Sequence, residues 1–271
     1  MSSSVKACYF DIDGTLLGKS GEITTEVLDT IALVKESGIR IGIATGRPWF
    51  AAKHIAESIQ TDAPCMTFSG ALLTDRTAGK TLQSHTLIPE DIETLIKLSS
   101  ENRWYLELYT ETEYFVEARN HIAEIHATYM HSLPIERSLN ELLTEPLLKA
   151  VIVFEGELPE GALELIKKET SQTEIAVAYG AAHPDIHFVN ITNRSAERLN
   201  ALRYICDSLS CTTDEIMAFG DGESDLPFLT SVRYGVAMGN AKSIVTNAAP
   251  YTTQSVENGG VAHFLRNHFK L

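Results

Sequence analysis

The sequence predicts an α/β protein in which a doubly wound parallel sheet carries an inserted α+β domain. Near-continuous apolar runs, which suit strands buried on both faces of a parallel sheet, alternate with helical segments at both ends of the chain. Short connections between these segments favour parallel strands joined by helices. The middle of the chain differs, because its strands follow one another as hairpins with helices between them.

The first part of the chain alternates between strands and helices. The segment 24–37 has apolar residues at helical spacing, can be capped by Thr24 or Thr25, and ends at Gly38. The apolar run 39–44 predicts a buried strand. The predicted strands of this part are 5–10, 39–44 and 65–68, and the predicted helices are 24–37 and 48–59.

The sequence of the middle part predicts helices at 89–100 and 160–170. It predicts strands at 104–109, 113–117, 148–154 and 175–179. The parallel pattern is predicted to resume with strands at 187–191, 216–219 and 234–237 and helices at 195–208, 225–230, 242–248 and 260–268. We therefore predict a core domain formed by residues 1–82 and 185–271. Residues 83–184 are the predicted α+β insertion, which would lie over the strand ends as a lid.

The composition argues against nucleic acid and membranes as partners of this chain. The chain of 271 residues has a net charge of −14, which argues against nucleic acid and against an anionic membrane surface. No stretch approaches the roughly 20 apolar residues that span a bilayer, and the first residues do not form an apolar leader. The four cysteines form no Cys-x-x-Cys pair, so we expect a reducing, cytoplasmic location.

Two acidic clusters follow predicted strands. Asp11 and Asp13 come directly after strand 5–10, and Asp221 and Asp225 follow an apolar run more than 200 residues later. Carboxyl ends of parallel strands are where α/β sheets keep their active sites. A surface turn is the alternative for Asp-x-Asp-Gly alone, but the second cluster favours a single Mg²⁺-dependent phosphoryl-transfer site.

The residue types suit that chemistry. Asp11 can attack phosphorus to give an aspartyl-phosphate, and Asp13 can protonate the leaving oxygen and then deprotonate water. Gly14 permits a sharp turn that Thr15 can pin. Thr45 is the predicted contact to a phosphate oxygen, the alternative being a helix cap.

Asp221 is the predicted further Mg²⁺ ligand. Asp225 either ligates through water or orients its neighbours, and an acidic loop or helix cap is the alternative for both residues.

These motifs together resemble the haloacid dehalogenase superfamily of phosphatases, and within it the Cof-type sugar-phosphatase branch. The resemblance covers nearly the whole chain and rests on residues 10–17, 45–48, 64–71, 220–225, 236–241 and 257–262. It implies a Rossmann-like core, a cap inserted after the second motif, Mg²⁺ and an aspartyl-phosphate mechanism. The implied metal ligands are Asp11, the Asp13 main-chain carbonyl, Asp221 and Asp225.

The resemblance also identifies departures from the family pattern. Arg198 stands where the family has a catalytic Lys, with Arg194 as the alternative if the loop is displaced, and arginine is not a simple replacement for lysine. Ser69 and Ser224 stand where Asn is usual. The residues implied to contact phosphate or substrate are Gly14, Thr45, Gly46, Arg47, Ser69, Gly70 and Ser224.

The leading functional hypothesis is a cytoplasmic phosphatase that acts on a small phosphomonoester, such as a sugar phosphate. The second is a catalytically weak or inactive relative that binds a phosphorylated ligand as a sensor or regulator, because the usual Lys is missing. A third is a mutase, which would require the aspartyl-phosphate to survive water.

Overall fold

The computed structural model describes residues 5–75, 77–179, 183 and 185–271. The chain folds as two compact units, each with a large β-sheet and its own apolar core, and a third, three-stranded sheet is formed by strands within residues 65–84. The first unit comprises Met1–Gly46, Ala52–Leu82 and Glu197–Leu271. The second comprises Arg47–Ala51 and Gln83–Ala196.

Strands and helices are interleaved along the described part of the chain. The strands are β1 Ala7–Phe10, β2 Arg40–Ile43, β3 Cys65–Thr67, β4 Leu72–Asp75, β5 Lys80–Ser84, β6 Tyr105–Tyr109, β7 Tyr114–Val116, β8 Ile135–Glu136, β9 Lys149–Glu155, β10 Thr173–Tyr179, β11 Ile186–Asn193, β12 Ile216–Gly220, β13 Tyr234–Ala237 and β14 Tyr251–Thr252. The helices are α1 Thr25–Glu36, α2 Trp49–Ser58, α3 Pro89–Asn102, α4 His121–Met130, α5 Ala162–Glu169, α6 Arg198–Leu209, α7 Leu226–Ser231, α8 Ser243–Ala248 and α9 Gly260–Phe269. None of these helices is both long and apolar enough to cross a membrane.

A five-stranded parallel sheet forms the centre of the first unit, as the alternating pattern predicts. Its strand order is β14-β13-β12-β1-β2, and all neighbours run parallel. β1 lies between β12 and β2 and is buried along its whole length. Its last residue, Phe10, is in register with Phe219 of β12 and Ile43 of β2, so the three strands end at nearly the same level.

The helix after β1 begins and ends where its capping residues predict. The Thr24 hydroxyl accepts a hydrogen bond from the Val27 N–H at 3.4 Å, which satisfies one free donor of the first turn. Val27, Ile31 and Val34 form the buried face of α1. Gly38 takes a φ of 88° directly after the helix, a conformation that glycine adopts without strain.

The strand predicted at 65–68 belongs to a different sheet than expected. β3 pairs antiparallel with β4 in the sheet β3-β4-β5 and joins β2 only through a parallel bridge between Ala44 and Met66. The chain reverses because Phe68 and Ser69 take positive φ values of 50° and 57°. An apolar run of three or four residues does not encode this reversal, so the sequence could not reveal the antiparallel partner.

The second unit contains a six-stranded sheet with the order β10-β11-β9-β6-β7-β8, antiparallel except between β7 and β8. One face of this sheet joins residues of α3 and α5 in an apolar core. Because side chains alternate along a strand, the opposite face carries Glu107, Tyr109 and Lys149. The sheet is therefore apolar on the face that packs against α3 and α5, whereas the opposite face carries polar and aromatic side chains beside Val151 and contacts His126 of α4.

The strand predicted at 187–191 does not resume the parallel sheet, and this expectation is wrong. It is part of β11, which pairs antiparallel with both β9 and β10 in the second unit. An apolar run carries no information on strand direction, so the next strand of either sheet fits it equally well. Residue 184, the predicted domain boundary, lies outside the described residues, and the second unit continues to Ala196.

Candidate active site

Three neighbouring strands of the parallel sheet lead into the candidate site. β1 runs directly into Asp11, β12 runs directly into Asp221, and β2 ends two residues before Thr45. The Asp11 N–H donates to the Phe219 carbonyl at 2.9 Å and so continues the ladder beyond the strand. The sheet therefore brings together segments that are far apart in sequence, at the edge where α/β folds bind ligands.

Three carboxylates gather at these strand ends. One oxygen each from Asp11, Asp221 and Asp225 lies within 4.8 Å of the other two. Asp11 and Asp225 are buried, and Asp221 is half-buried. Asp13 is exposed and is not part of this group. Its implied contribution to metal binding is a main-chain carbonyl oxygen, which distances between carboxylates do not test.

Burial and mutual repulsion make this cluster electrostatically unfavourable by itself. Burial raises the pKa of Asp11 well above its ordinary value and the charge of Asp225 raises it further, while Arg198 opposes the shift. Burial also raises the pKa of Asp221 to about 7, with Asp225 and Asp13 adding to the shift. A hard divalent cation prefers an all-oxygen set with excess negative charge, so these residues fit Mg²⁺.

Arg198 lies beside the carboxylates. Its Nη1 is 2.8 Å from Oδ1 of Asp225 and donates to the Ala44 carbonyl at 3.3 Å. The other oxygen of Asp225, Oδ2, accepts hydrogen bonds from the N–H groups of Asp221 and Gly222 at 3.1 and 2.9 Å. Both side chains of the ion pair are buried. Asp225 thus links Arg198 to the loop that carries Asp221.

Asn240 belongs to the site and is absent from the residues predicted for it. Its Nδ2 donates to the Gly14 carbonyl at 2.9 Å and to Oδ2 of Asp221 at 3.0 Å, while its Oδ1 accepts from the Val256 N–H at 2.9 Å. The motif 236–241 contains this residue, but no charge or strand-end position singles it out. Asn240 connects the loop after β1 with the loop after β12.

The turn after β1 closes through main-chain groups. The Gly14 N–H donates to the Leu17 carbonyl and the Leu16 N–H donates to the Ile12 carbonyl, both at 2.9 Å. Gly14 has a φ of 77°, and a Cβ there would overlap the Asp221 carboxylate. Thr15 does not pin the turn as expected, because its Oγ1 is buried without a hydrogen-bond partner in the described part of the chain.

The segments after β2 and β3 meet at Thr45, which is 1% exposed. Its N–H donates to the Met66 carbonyl at 3.0 Å, and its carbonyl accepts from the Ser69 N–H at 3.1 Å. A Cβ added to Gly46 would lie 3.3 Å from Oγ of Ser69. Gly70 follows with a φ of 105°. The structure therefore brings these four predicted phosphate-contacting residues into one turn region.

The remaining predicted residues are placed differently. Arg47 and Arg194 are grouped with the second unit, and Arg194 is exposed. Ser224 is exposed in the turn Glu223–Asp225. Of the two arginines considered for the Lys position, Arg198 is the one that lies at the carboxylates.

Comparison with known proteins identifies the family of the chain. A family model for haloacid dehalogenase-like hydrolases matches residues 8–265. The 5-amino-6-(5-phospho-D-ribitylamino)uracil phosphatase YitU of Bacillus subtilis is 28% identical over 96% of this chain and 96% of its own length. The stress response protein YhaX of the same organism is 24% identical over 96% of this chain and 92% of its own length.

Solved structures share the fold. The phosphatase BT1666 from Bacteroides thetaiotaomicron superposes with a TM-score of 0.84 at 24% identity, covering 100% of this chain and 97% of its own. The sugar phosphatase BT4131 superposes with a TM-score of 0.83 at 22% identity, covering 98% of this chain and 99% of its own. At these identities the likeness concerns the arrangement of helices and strands.

Proposed function

Because the chain belongs to the haloacid dehalogenase-like hydrolase family, we propose that it is a Mg²⁺-dependent phosphatase that hydrolyses a small phosphomonoester through an aspartyl-phosphate. The observation that carries this proposal is the meeting of Asp11, Asp221 and Asp225 within 4.8 Å at the ends of parallel strands. Phosphoryl transfer needs an in-line nucleophile and charge neutralisation, and this cluster offers both functions.

Asp11, Asp221 and the Asp13 carbonyl would hold Mg²⁺, with Asp225 orienting the loop or binding through water. When bound, the ion would neutralise charge on the cluster and on the phosphoryl group. Asp11 attacks phosphorus, and the bond from phosphorus to the leaving oxygen breaks as Asp13 gives that oxygen a proton. Water then attacks phosphorus while Asp13 accepts its proton, which releases phosphate and restores Asp11.

We assign two functions to Arg198. Its positive charge offsets part of the negative charge around Asp11, and its ion pair with Asp225 fixes the loop that carries Asp221. Thr45 would contact a phosphate oxygen. The other proposed phosphate or substrate contacts are Gly14, Gly46, Arg47, Ser69, Gly70 and Ser224.

We further propose that the second unit acts as the cap and selects the substrate. The names of relatives support a phosphate ester with a sugar or polyol part, since YitU is named for a phosphorylated ribitylamino compound and BT4131 for sugar phosphates. Four cysteines that form no disulfide are consistent with a reaction in the reducing cytoplasm.

A regulatory protein that binds a phosphorylated ligand without turnover is the second candidate. The observation in its favour is that Arg198, in place of the family Lys, already has two bonding partners, Asp225 and the Ala44 carbonyl. An arginine that is held in this way has less freedom to follow a transferring phosphoryl group than a lysine.

Hydrolysis of p-nitrophenyl phosphate and of a panel of sugar phosphates, with Mg²⁺ and with EDTA, separates the two candidates. The phosphatase proposal requires metal-dependent turnover that Asp11→Asn abolishes. The regulatory candidate requires turnover no higher than that of Asp11→Asn, together with calorimetric binding of a sugar phosphate.

A further inference from the structure

Lys149, the first residue of β9, is a buried cation that has a cation–π contact but no hydrogen-bond or ion-pair partner among the described residues. It is 7% exposed, and its Nζ lies 5.7 Å from the centroid of the Tyr109 ring. No side-chain or main-chain oxygen of the described residues is within hydrogen-bonding or ion-pairing distance of this ammonium. Burial lowers the pKa of Lys149 to about 8, an effect that the charge of Glu107 opposes. Native proteins rarely leave such a group unpaired, so each case requires an explanation.

Glu107 lies on the same face of the sheet, diagonally across from Lys149. It is fully buried, and its Oε2 is 2.5 Å from the Tyr109 hydroxyl and 2.7 Å from Nδ1 of His126. Its other oxygen, Oε1, is buried with no hydrogen-bond partner among the described residues. Because Tyr109 pairs with Lys149 and Glu107 with Val151 in the strand register, both side chains can reach one small group.

The two unpartnered groups define the chemistry of what would bind. Lys149 offers donors only, and Oε1 of Glu107 offers an acceptor. The carboxylate disfavours a simple anion, and the ammonium disfavours a simple cation. A hydroxyl group satisfies both, because it can donate to Glu107 and accept from Lys149 at the same time, and two neighbouring hydroxyls do so with better geometry.

We propose that Lys149 and Glu107 are the specificity-determining pair of the second unit and bind neighbouring hydroxyl groups in the sugar or polyol part of the substrate. This inference rests on the proposed phosphatase function and names the residues that select its substrate. A phosphate ester without hydroxyls would gain nothing from the pair.

Packed aromatic side chains surround the pair. Tyr109 and Tyr114 stack with ring centroids 5.0 Å apart, and Phe50 stacks on them at 6.5 and 6.0 Å. Thr192, which is paired with Lys149 in the neighbouring strand and is also buried, adds a hydroxyl to the polar end of this face. Rigid aromatic neighbours reduce the number of side-chain conformations that binding must order.

Lys149→Met tests the proposal, with Lys167→Met as the matched control, since Lys167 is an exposed lysine of the same unit. The substrates are glucose 6-phosphate, sorbitol 6-phosphate and p-nitrophenyl phosphate. For Lys149→Met we expect kcat/KM to fall about tenfold or more for the first two and less than about twofold for p-nitrophenyl phosphate. Glu107→Gln should likewise lower the ratio of kcat/KM for the two sugar or polyol phosphates to kcat/KM for p-nitrophenyl phosphate, and Lys167→Met should leave this ratio unchanged.

Thermal unfolding separates a binding role from a structural one. Lys149→Met removes an unpaired buried charge, so its Tm should equal or exceed that of the unchanged protein. A lower Tm with an unchanged ratio between sugar phosphates and p-nitrophenyl phosphate would overturn the proposal.

Binding of sorbitol 6-phosphate to Asp11→Asn, measured by calorimetry with and without Lys149→Met, gives the same comparison without turnover. Failure of the phosphatase proposal would appear as no hydrolysis of any substrate by the unchanged chain. Failure of the hydroxyl-binding pair would appear as equal affinity in the two variants.

Discussion

Arg198 and Asp225 form a buried ion pair, with 2.8 Å between Nη1 of the arginine and Oδ1 of the aspartate. The pair joins the start of α6 to the loop after β12, because Oδ2 of Asp225 accepts from the N–H groups of Asp221 and Gly222. The position of Asp221 therefore depends on Arg198, the residue to which the family resemblance assigns the position of the usual lysine. We attribute both a stabilising and a charge-balancing role to Arg198.

Replacing Arg198 tests this link. Arg198→Met leaves the buried Asp225 carboxylate unpaired, so we expect a loss of about 3–5 kcal/mol in unfolding free energy and at least a hundredfold lower kcat. Urea unfolding and steady-state kinetics measure the two effects. Arg203→Met, in the exposed part of the same helix, should change both quantities little. Equal stability of Arg198→Met and the unchanged chain would contradict the role of the ion pair.

Arg198→Lys tests whether activity requires the guanidinium group of Arg198 and not only its positive charge. A lysine keeps the charge but loses the planar group that reaches both Asp225 and the Ala44 carbonyl. We expect kcat to fall about tenfold, measured with p-nitrophenyl phosphate. A rise by orders of magnitude from a barely detectable rate would instead favour the regulatory candidate.

The turn after β1 should tolerate no side chain at Gly14. In Gly14→Ala, a positive φ adds strain of about 1 kcal/mol, and the overlap of the new methyl group with the Asp221 carboxylate adds about 1–3 kcal/mol. Gly21→Ala is the matched control, because Gly21 has a φ of 71° with nothing within 4 Å of a Cβ. The Mg²⁺ concentration for half-maximal activity should rise in Gly14→Ala only, and an equal rise in both variants would count against the overlap.

Asn240 should contribute to metal dependence through Asp221. Asn240→Ala removes the hydrogen bonds to Oδ2 of Asp221 and to the Gly14 carbonyl, so we expect about 1 kcal/mol less stability and a higher Mg²⁺ requirement. Titration of activity with Mg²⁺ checks the second effect. Asn258→Ala, an exposed asparagine of a nearby loop, serves as control, and an identical Mg²⁺ curve for both variants would exclude the positioning role of Asn240.

The pH dependence of stability should reveal the buried lysine. The pKa of Lys149 is lowered to about 8 in the folded chain from 10.5, so the unfolded chain binds more protons between these values. The contribution of Lys149 to the unfolding free energy therefore rises by at most about 3 kcal/mol as the pH increases from about 8 to 10.5. The difference in unfolding free energy between the unchanged chain and Lys149→Met isolates this effect from the tyrosines. A difference that is constant over this range would contradict the lowered pKa.

The parallel core could be predicted because its signals are local and repeated. Strand 5–10 is largely apolar and leads into Asp11, and helix 24–37 begins at its capping threonine and is followed directly by Gly38, so each element is identified from neighbouring residues. The acids of the candidate site were found for the same reason, since each follows a strand and strands of a parallel sheet end at one edge.

Strand partners and long-range contacts could not be predicted. Nothing in the run 187–191 distinguishes a parallel neighbour from an antiparallel one, and the reversal at Ser69 depends on a backbone conformation that serine seldom adopts. Asn240 could not be predicted because it bonds Gly14 and Asp221, which are distant from it in sequence. Lys149 and Glu107 could not be predicted as a pair because they come from two strands whose pairing only the structure shows.

The most direct test of the central claim is a pre-steady-state burst with Asp13→Asn. p-Nitrophenolate needs no protonation to leave, whereas hydrolysis of an aspartyl-phosphate needs a base, so this variant should accumulate the intermediate. With Mg²⁺ and p-nitrophenyl phosphate, we predict rapid release of about one equivalent of p-nitrophenolate per chain, with phosphate attached to Asp11. The absence of both the burst and the attached phosphate, in a variant whose parent chain turns over, would contradict the aspartyl-phosphate mechanism.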